Sequence, residues 1–187
     1  MSSLLLPVGC PLGMTFPPGG EAPVANVRVG DEFHQLSPGE YHIWLLATAH
    51  HSREALLQAT RQAGYVDGDQ VLEALLGLGM MIELDPEDAK LDAQLAQLRL
   101  VSIAIGIGNS AEHPEAFAIG GPDLQPRALV GLDLYTVWGM SYRASIWAVC
   151  QQIGALAEEE PAAVARRVAA GIPVLVSNSC AYLDVVP

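Results

Sequence analysis

The sequence predicts an α+β protein made of two similar units in tandem, joined by a helix and a β-hairpin. Three observations carry this expectation. Helix-start residues and helically spaced apolar positions alternate with short apolar runs bounded by Gly and Pro, so both element types are expected. A pair of segments recurs: "VGDEF" followed by "IWLLA" in residues 29–47 returns as "VGLDLY" followed by "IWAVC" in residues 130–150. Farther on, "VLEALLGLGMMIEL" is echoed by "AVARRVAAGIPVLV", with Gly79 falling on Gly171. Finally, hydrophobic residues make up 51% and charged residues 16% of 187, an ordered chain long enough for one sizeable core or two small ones.

Residues 1–24 hold Pro7, Pro11, Pro17, Pro18 and Pro23 among glycines, which predicts a Pro/Gly-rich arm, extended on the surface or loose. The first unit spans 25–85. "VANVRVGDEFHQL" reads as a strand. Ser37 as N-cap, Pro38 at the first helical position and Glu40 three residues after the cap open a helix through "YHIWLL". Ser52 caps a second helix, "SREALLQATRQAG", with Ala55, Leu56 and Ala59 on one face and Gly64 as its stop. Val71, Leu72, Leu75, Leu76 and Leu78 make a third, which ends at Gly79 and runs into an apolar strand from Met80 to Leu84.

Residues 86–120 connect the units. Asp85 as cap and Pro86 predict a helix that places Leu91, Leu95 and Leu98 on one face. Ile103, Ile105 and Ile107 then alternate with small residues, turn near Asn109 and Ser110, and return through "AFAIG" as a hairpin. The second unit spans 121–187, with a compressed middle helix around "LAEEEP" and Trp147 in the core position that Trp44 takes in the first.

Strand, three helices and strand within 25–85 is an order that resembles the winged-helix superfamily, and "VLEALLGLGMMIEL" resembles its third helix and wing. The resemblance implies a recognition helix and wing of the kind that grip DNA, but the charge argues against that use. The chain carries a formal charge of −12, and residues 25–100 hold twelve acids against five bases. No Lys or Arg lies between Arg61 and Lys90, whereas a duplex binder of this type needs several phosphate contacts. The pattern is therefore similar to acidic winged helices that do not bind DNA. Examples are the kleisin-binding subunits of bacterial chromosome-condensing complexes and, in single copy, the leader-peptide-recognition domains of peptide-tailoring systems; no motif assigns the chain to either.

Chemistry is sparse. "GIGNSA" sets Gly106, Gly108 and Ala111 in the spacing of a dinucleotide-binding turn, but Pro114 stands where the required helix would continue, so a glycine-rich hairpin turn is expected. His34, His42, His50 and His51 lack the i, i+4 spacing of a helical metal pair, and no metal or cofactor is expected. There is no G-x-S-x-G, and Cys150 lies in the apolar "ASIWAVCQQIG", where a thiol is inert. Cys180 is the thiol expected to be more exposed. The acids at Glu158 to Glu160 read as a solvated face. Cys10, Cys150 and Cys180 are odd in number and form no C-x-x-C pair, which fits a reducing cytoplasm. "MSSLLLPVGCPLGM" has no basic n-region and is broken by Pro7 and Pro11, so no signal helix is expected, and no apolar run reaches membrane-span length. One lysine among nine basic residues hints at a GC-rich bacterial genome.

The expected function is that of a non-enzymatic protein- or peptide-binding adaptor or accessory protein. Its partner would be a protein or peptide with a basic or apolar segment, and self-association is compatible with the pattern. The runner-up is a DNA-binding transcriptional regulator, and the third reading an accessory subunit of a tailoring enzyme. The candidate contact surface is Glu73, Met80, Met81, Glu83 and Asp85, in which methionines adapt to an apolar partner and acids steer a cationic one. Arg166 and Arg167 form a small basic spot suited to carboxylates. Trp138, in "LYTVWGMSYR", is open between core and surface anchor.

Overall fold

The computed structural model describes residues 3–19 and 22–186. Among them seven helices combine with several small antiparallel sheets, an α+β arrangement. The first half begins with β1 (Leu4–Pro7), β2 (Cys10–Thr15), β3 (Val24–Val29) and β4 (Glu32–Leu36). It continues through α1 (Pro38–Leu46), α2 (Arg53–Gln62), α3 (Gly68–Gly77) and β5 (Met81–Leu84). β2, β3 and β4 form an antiparallel meander, while β1 pairs antiparallel with β5, Pro7 opposite Met81. α1 starts at a full capping box: Ser37 Oγ accepts from Glu40 N–H, and Glu40 returns its carboxylate to Ser37 N–H at 2.7 Å.

After a one-turn α4 (Leu91–Leu95), the second half repeats that order. β6 (Leu98–Ser102), β7 (Ile105–Gly108), β8 (Phe117–Gly120) and β9 (Pro126–Val130) precede α5 (Leu132–Met140), α6 (Ile146–Ala157), α7 (Pro161–Ser177) and β10 (Ala181–Val185). β7-β8-β9 is again a meander, and β6 pairs with β10. The correspondence reaches single bonds. Both β2 and β7 shift register at a left-handed glycine, Gly13 (φ 87°) and Gly108 (φ 88°), a bulge that other residues would strain to make. Trp44 Nε1 donates to Met80 O, which also accepts from Val8 N–H; Trp138 Nε1 donates to Cys180 O, which also accepts from Ile103 N–H. α3 and α7 end alike on a left-handed residue, Gly79 (φ 67°) and Ser179 (φ 52°).

One continuous core runs through both halves, with Leu5, Leu6, Ile43, Leu72 and Leu75 on one side and Ile119, Val137, Ile146, Ile172 and Leu175 on the other. Burying these large aliphatic side chains is the dominant stabilising term, about 1.5–3 kcal/mol each. Polar bonds join the halves. Gly9 N–H donates to Leu183 O at 2.7 Å beside a parallel bridge between Val8 and Leu183. The buried Asp184 carboxylate accepts from Gly30 N–H at 2.6 Å and Arg99 Nη2 at 2.9 Å, with Arg28 Nη1 at 3.6 Å.

Several expectations need correction. The Pro/Gly-rich arm is not a surface tail: β1 puts Leu5 and Leu6 into the core, because β5 supplies an edge that needs hydrogen-bond donors only from residues before and beside Pro7. The repeat of elements thus starts near residue 4, not 25. "VANVRVGDEFHQL" is two strands folded at Gly30 and Asp31. The strand after α3 is no free wing, since it pairs with β1. The connecting helix shrinks to 91–95: Asp85 and Asp88 side chains accept from Glu87 and Lys90 N–H, holding turns that compete with helix, and Leu98 belongs to β6. Trp147 is half-buried on α6, and the residue matching Trp44 is Trp138. Gly79 falls on Ser179 rather than Gly171, because α7 continues through Gly171 and Pro173.

Candidate functional site

β9 is the outer strand of its sheet, so one of its edges carries backbone groups with no strand beside them. Along it, Ala128 and Val130 face inward and Leu129 faces out, 63% exposed. α5 begins directly after it, and α7 crosses nearby, its buried face set by Val164, Val168, Ile172 and Leu175 at helical spacing. Between them lies a groove of about 700 Å³. Leu129 and Val130 of β9, Leu132 of α5 and Phe117 at the start of β8 form one wall, and Gly171 and Val174 of α7 the other. Gly171 keeps the walls close: a Cβ there would lie 2.6 Å from Leu134 Cδ2. The lining is mainly aliphatic, and Leu132 and Val174 are themselves exposed to solvent.

One end of the groove is charged. Arg167 of α7 donates to Asp133 Oδ2 through Nε (3.0 Å) and Nη2 (2.6 Å), and to Glu159 Oε2 through Nη2 (2.8 Å). The guanidinium is held above its ordinary value by the bonds to Glu159 and Asp133, and the Glu159 carboxyl is held below its own by Arg167. Glu115, on the loop before β8, lines the same cavity. Arg127, the cation of β9, leans on the turn at Gly121. The arrangement combines an aliphatic lining with carboxylates, so it can seat apolar side chains and attract positive charge.

Of the residues singled out from sequence, only Arg167 lies in this groove. Met80 and Met81 are buried, 0% and 2% exposed, and offer nothing to a partner. Glu73 and Glu83 are tied to Arg53 of α2, Glu83 at 3.0 Å, and their bonds raise its pKa. Asp85 caps its own turn. Trp138 is core. Arg166 is exposed and faces Glu87, Asp88 and Asp92 across a small cleft beside Trp147. Sequence reading misses the groove residues Phe117, Leu129, Leu132 and Val174 and gives Gly171 only a place in the repeat; the one signal is an outward Leu129 and Leu132 where a surface strand and helix start would carry polar residues.

The remaining chemistry-bearing residues sit apart. His42 Nδ1 is 2.9 Å from Tyr65 OH, and His51 Nε2 is 2.7 Å from Ser177 Oγ across the junction of the halves. Among the described residues no three His, Cys, Asp or Glu side chains gather as a metal site would require. Burial pushes the Cys150 thiol up to about 12 and also raises Cys180, which is buried rather than exposed as expected. "GIGNSA" is a bulged strand and turn, with no helix behind it. No helix among the described residues is long and apolar enough to cross a membrane. In comparisons with known proteins, the chain matches no family model, no curated protein and no solved structure.

Proposed function

We propose that this chain is a non-enzymatic protein- or peptide-binding accessory protein, built on two winged-helix-like units and holding an extended segment of its partner. The observation that carries the reading is the aliphatic groove between the outer strand β9 and α7. A strand laid against β9 would gain backbone hydrogen bonds, and its alternate side chains would enter the groove, the division of labour typical of strand addition. The winged-helix-like description rests on three helices that follow an antiparallel sheet and lead into a strand in each half. DNA is disfavoured: α3 carries no cation, and Arg167 on α7 is already bound by two carboxylates.

The test is an NMR titration with short peptides of alternating valine and polar residues. Shifts are expected at Leu129–Leu134 and along α7 from Arg167 to Val174. Leu129→Asp and Val174→Asp should each weaken binding at least about tenfold, the loss of one central interface contact. Tight binding of random duplex DNA at physiological salt, or peptide shifts confined to other surfaces, would overturn the reading.

A further inference from the structure

The two halves can be compared position by position because their third helices end alike, Leu75 O accepting from Met80 N–H and Leu175 O from Cys180 N–H. Counting back from there, Val71 of α3 stands where Gly171 packs against Leu134. α7 is 17 residues long and α3 only 10, so Arg167, within the second helix, corresponds to Asp67, the N-cap of the first. At the start of the first helices, Gly39 stands where Asp133 does. The Tyr65 ring covers it, 3.3 Å from where a Gly39 Cβ would be, and is pinned by its hydroxyl to His42. The corresponding place in the first half is thus covered by Tyr65 and has no counterpart of the Arg167–Asp133 pair. In the second half three carboxylates, Glu115, Asp133 and Glu159, line or flank the groove for one guanidinium, and that guanidinium is already bonded to two of them.

We infer that each molecule holds one extended segment, in the second half alone, and that the segment is a partner-protein strand bearing aliphatic side chains and at least one basic residue that meets the groove's carboxylates. The inference rests on the peptide-binding reading above and names its occupant. Surplus negative charge beside an apolar lining favours a cation and disfavours an acidic segment, chiefly through association rate and selectivity. The first half then serves as structural support that completes the common core.

Isothermal titration with three capped peptides tests this: alternating valine and arginine, valine and glutamine, and valine and glutamate. Expected are one site per chain and an affinity order of arginine over glutamine over glutamate. Glu115→Lys, on an exposed loop residue, should reduce the preference for the arginine peptide over the glutamine peptide by about two- to fivefold, the scale of one exposed charge pair. Val174→Asp should remove the site, which a site in the first half would survive. Two sites per chain, or equal affinity for all three peptides, would sink the inference while leaving peptide binding standing. Failure of all three peptides to bind would remove the peptide-binding reading and the inference with it.

Discussion

Trp44 and Trp138 each send an indole N–H to the carbonyl that precedes the last strand of their half, and each is almost wholly enclosed. Trp→Ala at either position should cost about 3–5 kcal/mol in urea unfolding, whereas half-buried Trp147→Ala should cost about half that. Equal losses at Trp44 and Trp147 with little at Trp138 would contradict the pairing of the two tryptophans described above. The dipeptide Ile-Trp at 43–44 and 146–147 misleads because it is a local identity; the true match, Val137-Trp138, becomes visible only through the bond it makes. Glu73 and Glu83 were similarly misleading, since the arginine that binds both comes from another helix. His51 supplies a pH dependence. Burial lowers its pKa and the neighbouring His50 adds a repulsive charge, against a backbone hydrogen bond with Leu5 that raises it. The unfolded chain therefore takes up a proton below about pH 6.5 that the folded chain resists. The contribution is complete above that pH and is lost as pH falls toward the depressed folded value. Melting temperatures measured from about pH 7 to about pH 5.5 should fall more steeply for the native protein than for His51→Gln.

Among the elements, α1 and α2 were legible because their caps are local: Ser37 with Glu40, and Ser52 with Ala55 N–H. The β7–β8 hairpin was legible for the same reason, its alternation and glycines lying within one stretch. β1 was not. Three leucines ahead of a proline say nothing about the partner that makes them a strand, and that partner, β5, lies far along the chain. α5 was hidden too, because it is apolar on nearly every side and shows no period. The groove shares this fate: its walls come from β8, β9, α5 and α7, and no segment alone displays it. Leu6 is fully buried in β1, so Leu6→Ala should cost about 2–5 kcal/mol by denaturant titration. A neutral result would restore the surface-arm description of the first residues.

At the scale of the molecule, Asp184 is the joint. It belongs to β10, yet it accepts from Gly30 N–H and reaches Arg28 in the first half as well as Arg99 in its own. Asp184→Asn leaves two guanidinium groups without their carboxylate and should cost about 3 kcal/mol, somewhat tempered by the partial exposure of both arginines. Unfolding should remain a single transition by fluorescence and circular dichroism, because one core spans both halves; two separated transitions would mean that they are independent. The bond from Gly30 to Asp184 closes a separation of 154 positions. Such a contact is entropically costly to form and is repaid only after both halves are in place, so contact order makes the protein a slow folder for its size. During synthesis Val8, Gly9 and Gly30 must wait for the strand that carries Asp184, and that interval is when the nascent chain is most open to aggregation and most dependent on chaperones.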